Sequence, residues 1–328
     1  MNRVLDMPTS PPTCPGCNPP SLRRAARAAL LLLVVCTFLI PVSARVAWAQ
    51  GDPKKKLPAR QEINLTTDDD MVVKATYWPS TEGKEAIPVI LLHAFNGTRH
   101  DFSGLADYLQ EWGFAVIAPD LRGHGDSRRM RDSNQLLQAA DLPPAAFASM
   151  VEDVEAVKRF LMARNNAGEL NIDKLCIVGA EMGALVAANW AVTDWEWEPL
   201  AVGKQGQDVK AIVMLSPPEK FKSLQMAKPL SHPAVRSRLS FYIAVGKGKA
   251  SALHDATKIH TSLKKHHPDP ARTGDQDLYF DDRFNTQLQG TKLLGKEFSD
   301  YHLAANIVEF FQARAGKQPY VWKDRTLP

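Results

Sequence analysis

The sequence predicts an α/β domain: a mostly parallel central sheet with helices on both faces. Two observations carry this. From Gln61 onward, short apolar runs alternate with amphipathic stretches, the pattern of strands joined by crossover helices. The same stretch holds one cysteine, Cys176, so no intrachain disulfide can stand in for a large apolar core.

The elements follow in order. Glu62–Thr66 and Met71–Trp78 flank Asp68-Asp69-Asp70 and predict an antiparallel hairpin at the sheet edge, because Asp-rich segments favour reversal. Pro88–Leu92 is the first buried strand. Phe102, Leu105, Ala106, Leu109 and Trp112 recur at helical spacing, Gly113 ends that helix, and Phe114–Ala118 is the next strand. Phe147, Met150, Val154, Val157 and Leu161 mark a second helix. Strands at Leu175–Val178, Ala211–Leu215, Ser240–Val245 and Leu278–Phe280 alternate with helices at Met182–Val192, Ala256–Leu263 and Tyr301–Arg314. Only a short segment separates Ser216 from Ser240, so no large cap domain is expected. The loops at 128–143 and 194–208 are long enough to border a pocket.

The N-terminus reads as a secretory signal. Arg23, Arg24 and Arg27 precede the apolar run Ala28–Ile40, and Ala47-Trp48-Ala49 has the small residues of a cleavage site. The run spans thirteen residues, short of the roughly 20 needed to cross a bilayer, which favours cleavage after Ala49 over a retained anchor. The expected organisation is a signal at 1–49, a linker at 50–60, one domain at 61–315 and a tail at 316–328. Residues 1–49 carry five arginines and one aspartate. The remainder of the 40 Lys+Arg and 36 Asp+Glu is therefore balanced, 35 against 35. Nothing global points to nucleic acid, and a membrane is implicated only through an uncleaved signal. Lys54-Lys55-Lys56 reads as a solvated linker. Cys14, Cys17 and Cys36 leave with the signal, so Cys14-Pro15-Gly16-Cys17 is not expected to act as a redox or zinc motif.

Three segments then carry a family resemblance. Leu91-Leu92-His93-Ala94-Phe95-Asn96-Gly97, Pro119-Asp120-Leu121-Arg122-Gly123-His124-Gly125-Asp126-Ser127 and Ile177-Val178-Gly179-Ala180-Glu181-Met182-Gly183 occur in this order. Together they resemble the α/β-hydrolase superfamily, especially its serine aminopeptidase-like and monoglyceride-lipase-like branches, over about residues 61–315. The resemblance implies a Ser-Asp-His triad with a nucleophile on a strained strand-to-helix turn. Here the nucleophile position holds Glu181. The acid position after the penultimate strand, within Val245-Gly246-Lys247-Gly248-Lys249, holds Lys249. The base position, in Gln289-Gly290-Thr291-Lys292-Leu293-Leu294, holds Gln289.

A carboxylate is a poor acyl nucleophile, and glutamine cannot take and return a proton near neutral pH. These residues predict a binding or scaffold domain that keeps the fold, for an unidentified small molecule or protein. The alternative is an active hydrolase with relocated groups, or one that attacks saturated carbon with Glu181 as haloalkane dehalogenase-like relatives do with Asp. Since Glu181 opens a helix, it is expected to meet Lys249 and Gln289 in a polar plug. The resemblance also implies an oxyanion-hole remnant at the N–H groups of Phe95 and Met182, which Glu181 would fill. Among the other candidates, His93 and His124 are expected to be structural. His302 is placed in the first turn of the last helix, in a surface or capping role. His266-His267 lies in a polar loop without a third metal ligand, and Glu219 is expected to be solvated. Ser127 and Ser216 lack a base. No metal or cofactor is implied. Tyr320 and Trp322 in the tail are expected to dock on their own domain.

Overall fold

The computed structural model describes residues 56–133, 135–201 and 203–326. The segment expected to be an export signal with its cleavage site, Cys14, Cys17, Cys36, Lys54 and Lys55 lie outside the described residues. The unit formed by residues 51–328 is described below.

Strands β1 (Gln61–Thr66) and β2 (Met71–Trp78) pair antiparallel, with Gln61 opposite Tyr77 and Thr66 opposite Val72. Their turn is closed by the Thr67 hydroxyl, which accepts from the Met71 N–H at 2.8 Å, and by Asp70 in a left-handed conformation. Then come β3 (Pro88–Leu92), α1 (Ser103–Glu111), β4 (Ala115–Pro119), the two-residue β5 (Arg129–Met130) and α2 (Met150–Asn166). They are followed by β6 (Leu175–Ala180), α3 (Met182–Glu196) and β7 (Val209–Leu215). A small hairpin, β8 (Lys220–Phe221) with β9 (Leu224–Gln225), and two short helices, α4 (Ala227–Ser231) and α5 (Pro233–Arg238), bridge to β10 (Ser240–Ala244). The chain finishes through α6 (Ala250–Lys264), α7 (Pro270–Thr273), β11 (Leu278–Asp281) and α8 (Leu303–Phe311).

The sheet order is β1-β2-β4-β3-β6-β7-β10-β11, with β5 also on β2. From β4 to β11 every pairing is parallel. Alternation along the buried strands sends side chains to two cores. Ile90, Leu92, Ile117, Ile177 and Ile212 pack with α2 and α3 on one face. Val89, Leu91, Val116, Val178 and Val213 pack with α1 and α8 on the other. No large cap interrupts the β7-to-β10 connection. The sequence left that connection unassigned because two-residue strands and one-turn helices carry too few residues to show a period.

Two helix boundaries differ from the periodicity. The first helix is entered through a 3-10 turn at Arg99–Phe102, fixed by the capping box of Thr98 and Asp101. The last helix is shorter than Tyr301–Arg314. It begins at Leu303, because His302 has φ 53°, and it ends in a π turn at Gln312–Gly316.

The tail docks on its own domain, as its aromatics suggested. The Trp322 indole N–H donates to the Asn165 carbonyl at 3.1 Å, and Lys84 Nζ lies 3.7 Å from that ring's centre. Tyr320 sits beside Lys210, whose amine is pushed down to about 8 by burial and the neighbouring Lys204. Arg325, almost fully buried, reaches Asp208 at 3.0 Å and Asp173 at 3.3 Å. Burial opposes ionisation of Asp208, but Lys158, Lys204 and Arg325 outweigh it and hold the carboxyl down at about 2. Removing one member of a buried pair strands the other charge, at a cost of about 3–5 kcal/mol. Arg325→Ala should therefore lower unfolding stability by about 3 kcal/mol in urea denaturation. Unchanged stability would mean that the tail is not docked.

Candidate active site

The site lies where β6 turns into α3. Glu181 occupies this turn with φ 47° and ψ −109°, a backbone that L side chains rarely adopt and that costs on the order of 1–3 kcal/mol. Two close approaches hold it. A Cβ at Gly183 would overlap the Leu92 and His93 carbonyl oxygens, and one at Gly179 would collide with Ala184 and the Gly183 carbonyl. The Glu181 N–H donates to the Leu215 carbonyl at 2.9 Å, tying the turn to the neighbouring strand.

The half-buried Glu181 side chain lies against Gly290. A Cβ there would come within 2.7 Å of Oε1, and Gly290 itself has φ 60°. Glu181 and the Gln289–Gly290 turn are thus brought together, as the resemblance implied. The Gln289 amide, however, is committed elsewhere. Its Nε2 donates to the Gly246 carbonyl at 2.8 Å, and its Oε1 accepts from the Gly246 N–H at 3.3 Å. Lys249 faces solvent at the start of α6 and makes no ion pair with Glu181. The expected plug is therefore not formed: the Gly246–Lys249 turn directs the amine outward, while Gln289 is spent on holding that turn.

Nor does Glu181 fill the oxyanion-hole remnant. Among the described residues, its carboxylate accepts no hydrogen bond from Phe95 or Met182. Beside the loop that carries Phe95, aromatic rings pack together, with Phe95 5.0 Å from Phe221 and 6.0 Å from Phe147 between ring centres. Phe221 comes from the β8–β9 hairpin, an element the sequence did not reveal.

The surrounding motif residues are structural. The Asp120 carboxylate accepts from the Arg99 guanidinium and backbone, and from the Asp126 N–H at 2.8 Å. Arg122 binds Asp153 at 2.7 Å and Asp69 at 2.6 Å. His93 is fully buried; its Nδ1–H donates to the Ala94 carbonyl at 2.8 Å, and Nε2 accepts from the Leu121 N–H at 2.9 Å. Burial pushes its pKa down to about 4. The His124 ring packs 4.9 Å from it and is likewise shifted down by burial. Ser127 Oγ accepts from the Lys74 N–H at 2.8 Å, and Ser216 Oγ from the Gly290 N–H at 3.0 Å. Ser216 also has positive φ, 54°, a feature no sequence signal announced.

Three smaller expectations change. His302 lies on the surface, but it precedes the helix in a left-handed conformation instead of occupying its first turn, and its side chain makes no cap bond. His267 lies in the loop between α6 and α7 as expected, but its side chain is 1% exposed, 2.9 Å from Asp277 and edge-on to Phe241, so it turns inward from that loop. Glu219 is not simply solvated, since Lys258 pairs with it at 2.7 Å. His266 is exposed, and no group of three metal-binding side chains occurs among the described residues.

A family model described as the alpha/beta hydrolase fold matches residues 87–287, and the chain belongs to that family. Solved structures agree. A highly thermostable carboxyl esterase from Bacillus coagulans superposes with a TM-score of 0.56 at 12% identity, over 79% of this chain and 99% of that one. A dienelactone hydrolase from Anabaena variabilis gives 0.55 at 13%, over 79% and 100%. An esterase from Pyrococcus furiosus gives 0.55 at 15%, over 79% and 92%. At these identities the likeness is one of fold. No curated protein matched the sequence.

Two measurements check the site. Glu181→Gly and Glu181→Ala both delete the carboxylate, but only glycine relieves the backbone, so the glycine variant should be the more stable by about 1 kcal/mol in thermal unfolding. The reverse order would refute the strained turn. For His93, a folded pKa below the ordinary 6.5 means that the unfolded chain binds the extra proton first. Its contribution to stability is complete above 6.5 and is lost as pH falls toward about 4. The side-chain ¹⁵N resonances of His93 should accordingly stay neutral at pH 5.5, and a titration midpoint near 6.5 would contradict this burial.

Proposed function

We propose that this chain is an exported α/β-hydrolase-fold protein that no longer hydrolyses and acts by binding a small molecule or a protein. The observation that carries the reading is the commitment of Gln289. The residue in the base position spends both ends of its amide on Gly246, so Gln289 cannot relay a proton to or from Glu181. Lys249, in the acid position, faces solvent and cannot orient a base. Glu181 itself would form an anhydride with an acyl group, a product that offers no easy onward path. The esterase and dienelactone hydrolase neighbours lend the scaffold, and a shared fold does not carry the reaction with it.

One observation favours a second reading. Glu181 keeps the strained turn with its carboxylate unpaired among the described residues, the arrangement needed for attack on saturated carbon. That reaction still requires a base to hydrolyse the resulting ester.

The deciding experiment assays purified protein beginning at Gln50 against short-chain nitrophenyl esters and a haloalkane, beside Glu181→Ala and Glu181→Ser. All three proteins should be folded and silent. Turnover by the natural sequence that disappears in Glu181→Ala would overturn the binding reading and establish carboxylate chemistry. Ester turnover that survives in Glu181→Ala would overturn it too, by locating the nucleophile elsewhere.

A further inference from the structure

The loop that follows α3 holds large apolar side chains out of the domain. Residues 196–200 are all exposed, with Trp197 at 46% and Leu200 at 47%. The backbone beneath them is fixed. The Gln205 and Gln207 side-chain amides donate to the Glu198 and Trp197 carbonyls at 3.0 and 3.3 Å, and Leu200 and Gly203 exchange two backbone hydrogen bonds at 2.9 and 3.1 Å. Gly206 permits this packing, since a Cβ there would come within 2.7 Å of the Trp197 Cβ. A large ring presented on a fixed backbone has little freedom left to lose on contact, which is the property of a strong interface anchor.

The charges around this loop fall into two adjacent blocks. Glu196 and Glu198 flank the Trp197 ring, both exposed and neither ion-paired among the described residues. Residues 220–249 carry seven Lys and Arg and no Asp or Glu, although residues 50–328 are balanced overall. None of those seven pairs with a carboxylate among the described residues. The two blocks meet at α5. There the exposed Arg238 guanidinium lies 5.8 Å from the centre of the Trp195 ring, one residue before Glu196.

We propose that this face joins two copies of the chain about a two-fold axis, with Trp197 and Leu200 of each copy packed at the centre and Glu196 and Glu198 of each set against Arg238 of the other. A two-fold contact is isologous, so one patch must complement itself. Acidic and basic blocks side by side meet that condition, because a half-turn lays the acidic block of one copy on the basic block of the other. The acids also decide against other occupants. An anionic lipid surface would attract residues 220–249 but repel Glu196 and Glu198 at the ring that should insert, and an acidic partner would meet the same repulsion. Balanced charge over residues 50–328 leaves two copies without long-range repulsion. Removal of the two apolar side chains from water drives the contact, and the charges set its register.

The test measures the sedimentation of full-length protein at micromolar concentration. The natural sequence should form a dimer. Trp197→Asp should weaken it at least tenfold, and so should Arg238→Glu alone or Glu196→Lys combined with Glu198→Lys. Reversal on both sides should undo the loss: an equimolar mixture of the last two proteins should associate, and a chain carrying all three charge reversals should dimerise again. This rescue separates the interface from a fold damaged by substitution and from association through any other segment. A natural sequence that stays monomeric overturns the proposal, and so does a dimer indifferent to these changes. Loss of the dimer without rescue by the three reversals overturns the assigned pairing. Monomers whose binding to phosphatidylglycerol vesicles is strengthened by Glu196→Lys and Glu198→Lys would give the face to lipid and overturn the proposal as well. None of these outcomes depends on whether the chain hydrolyses esters.

Discussion

The architecture depends on one close approach. Helix α3 can enter the sheet directly after β6 only because position 183 has no side chain, so that its backbone rests on the carbonyls of Leu92 and His93. Gly179 permits the same on the other side of the turn. Between these two contacts Glu181 has no room to relax, and its backbone is held in a conformation that would otherwise revert to an ordinary one. The strain therefore follows from packing and does not depend on what the side chain at 181 does.

Much of the fold was legible because its central strands are buried and almost continuously apolar. Pro88–Leu92 was delimited to the residue, and the sheet's remaining central strands to within two residues at either end. Strands buried on both faces need a continuous apolar run, and such runs stand out in a sequence. The elements that escaped are those too short for a period, among them the hairpin carrying Phe221, which is set by tertiary packing. The site was legible in its backbone and much less so in its side chains. Glycine spacing located the turn. The position of the Gln289 amide on Gly246, and of Lys249 in solvent, depends on rotamers and loop geometry that no residue pattern encodes.

Charge within this domain is largely committed to the fold. Arg99 and Arg122 anchor the turn after β4 to other parts of the chain, while Lys158, Lys204 and Arg325 neutralise aspartates at 173, 194 and 208. Single members of such groups are costly to remove, whatever the net value of the intact pair. In the Asp-x-Arg-Gly-His-Gly motif, the acid and the arginine both serve architecture.

The docked tail carries a consequence for how the chain reaches its native state. Asp208 and Asp173 are brought together by the centre of the sequence, yet the guanidinium that joins them arrives at position 325. Such contacts link residues more than a hundred positions apart, which slows folding. During synthesis from the N-terminus, the acidic socket stays incomplete until position 325 has been made and can fold back onto it. Until then Lys204 alone bridges the two aspartates, and the segment from 208 to 325 must fold before the second cation can join them.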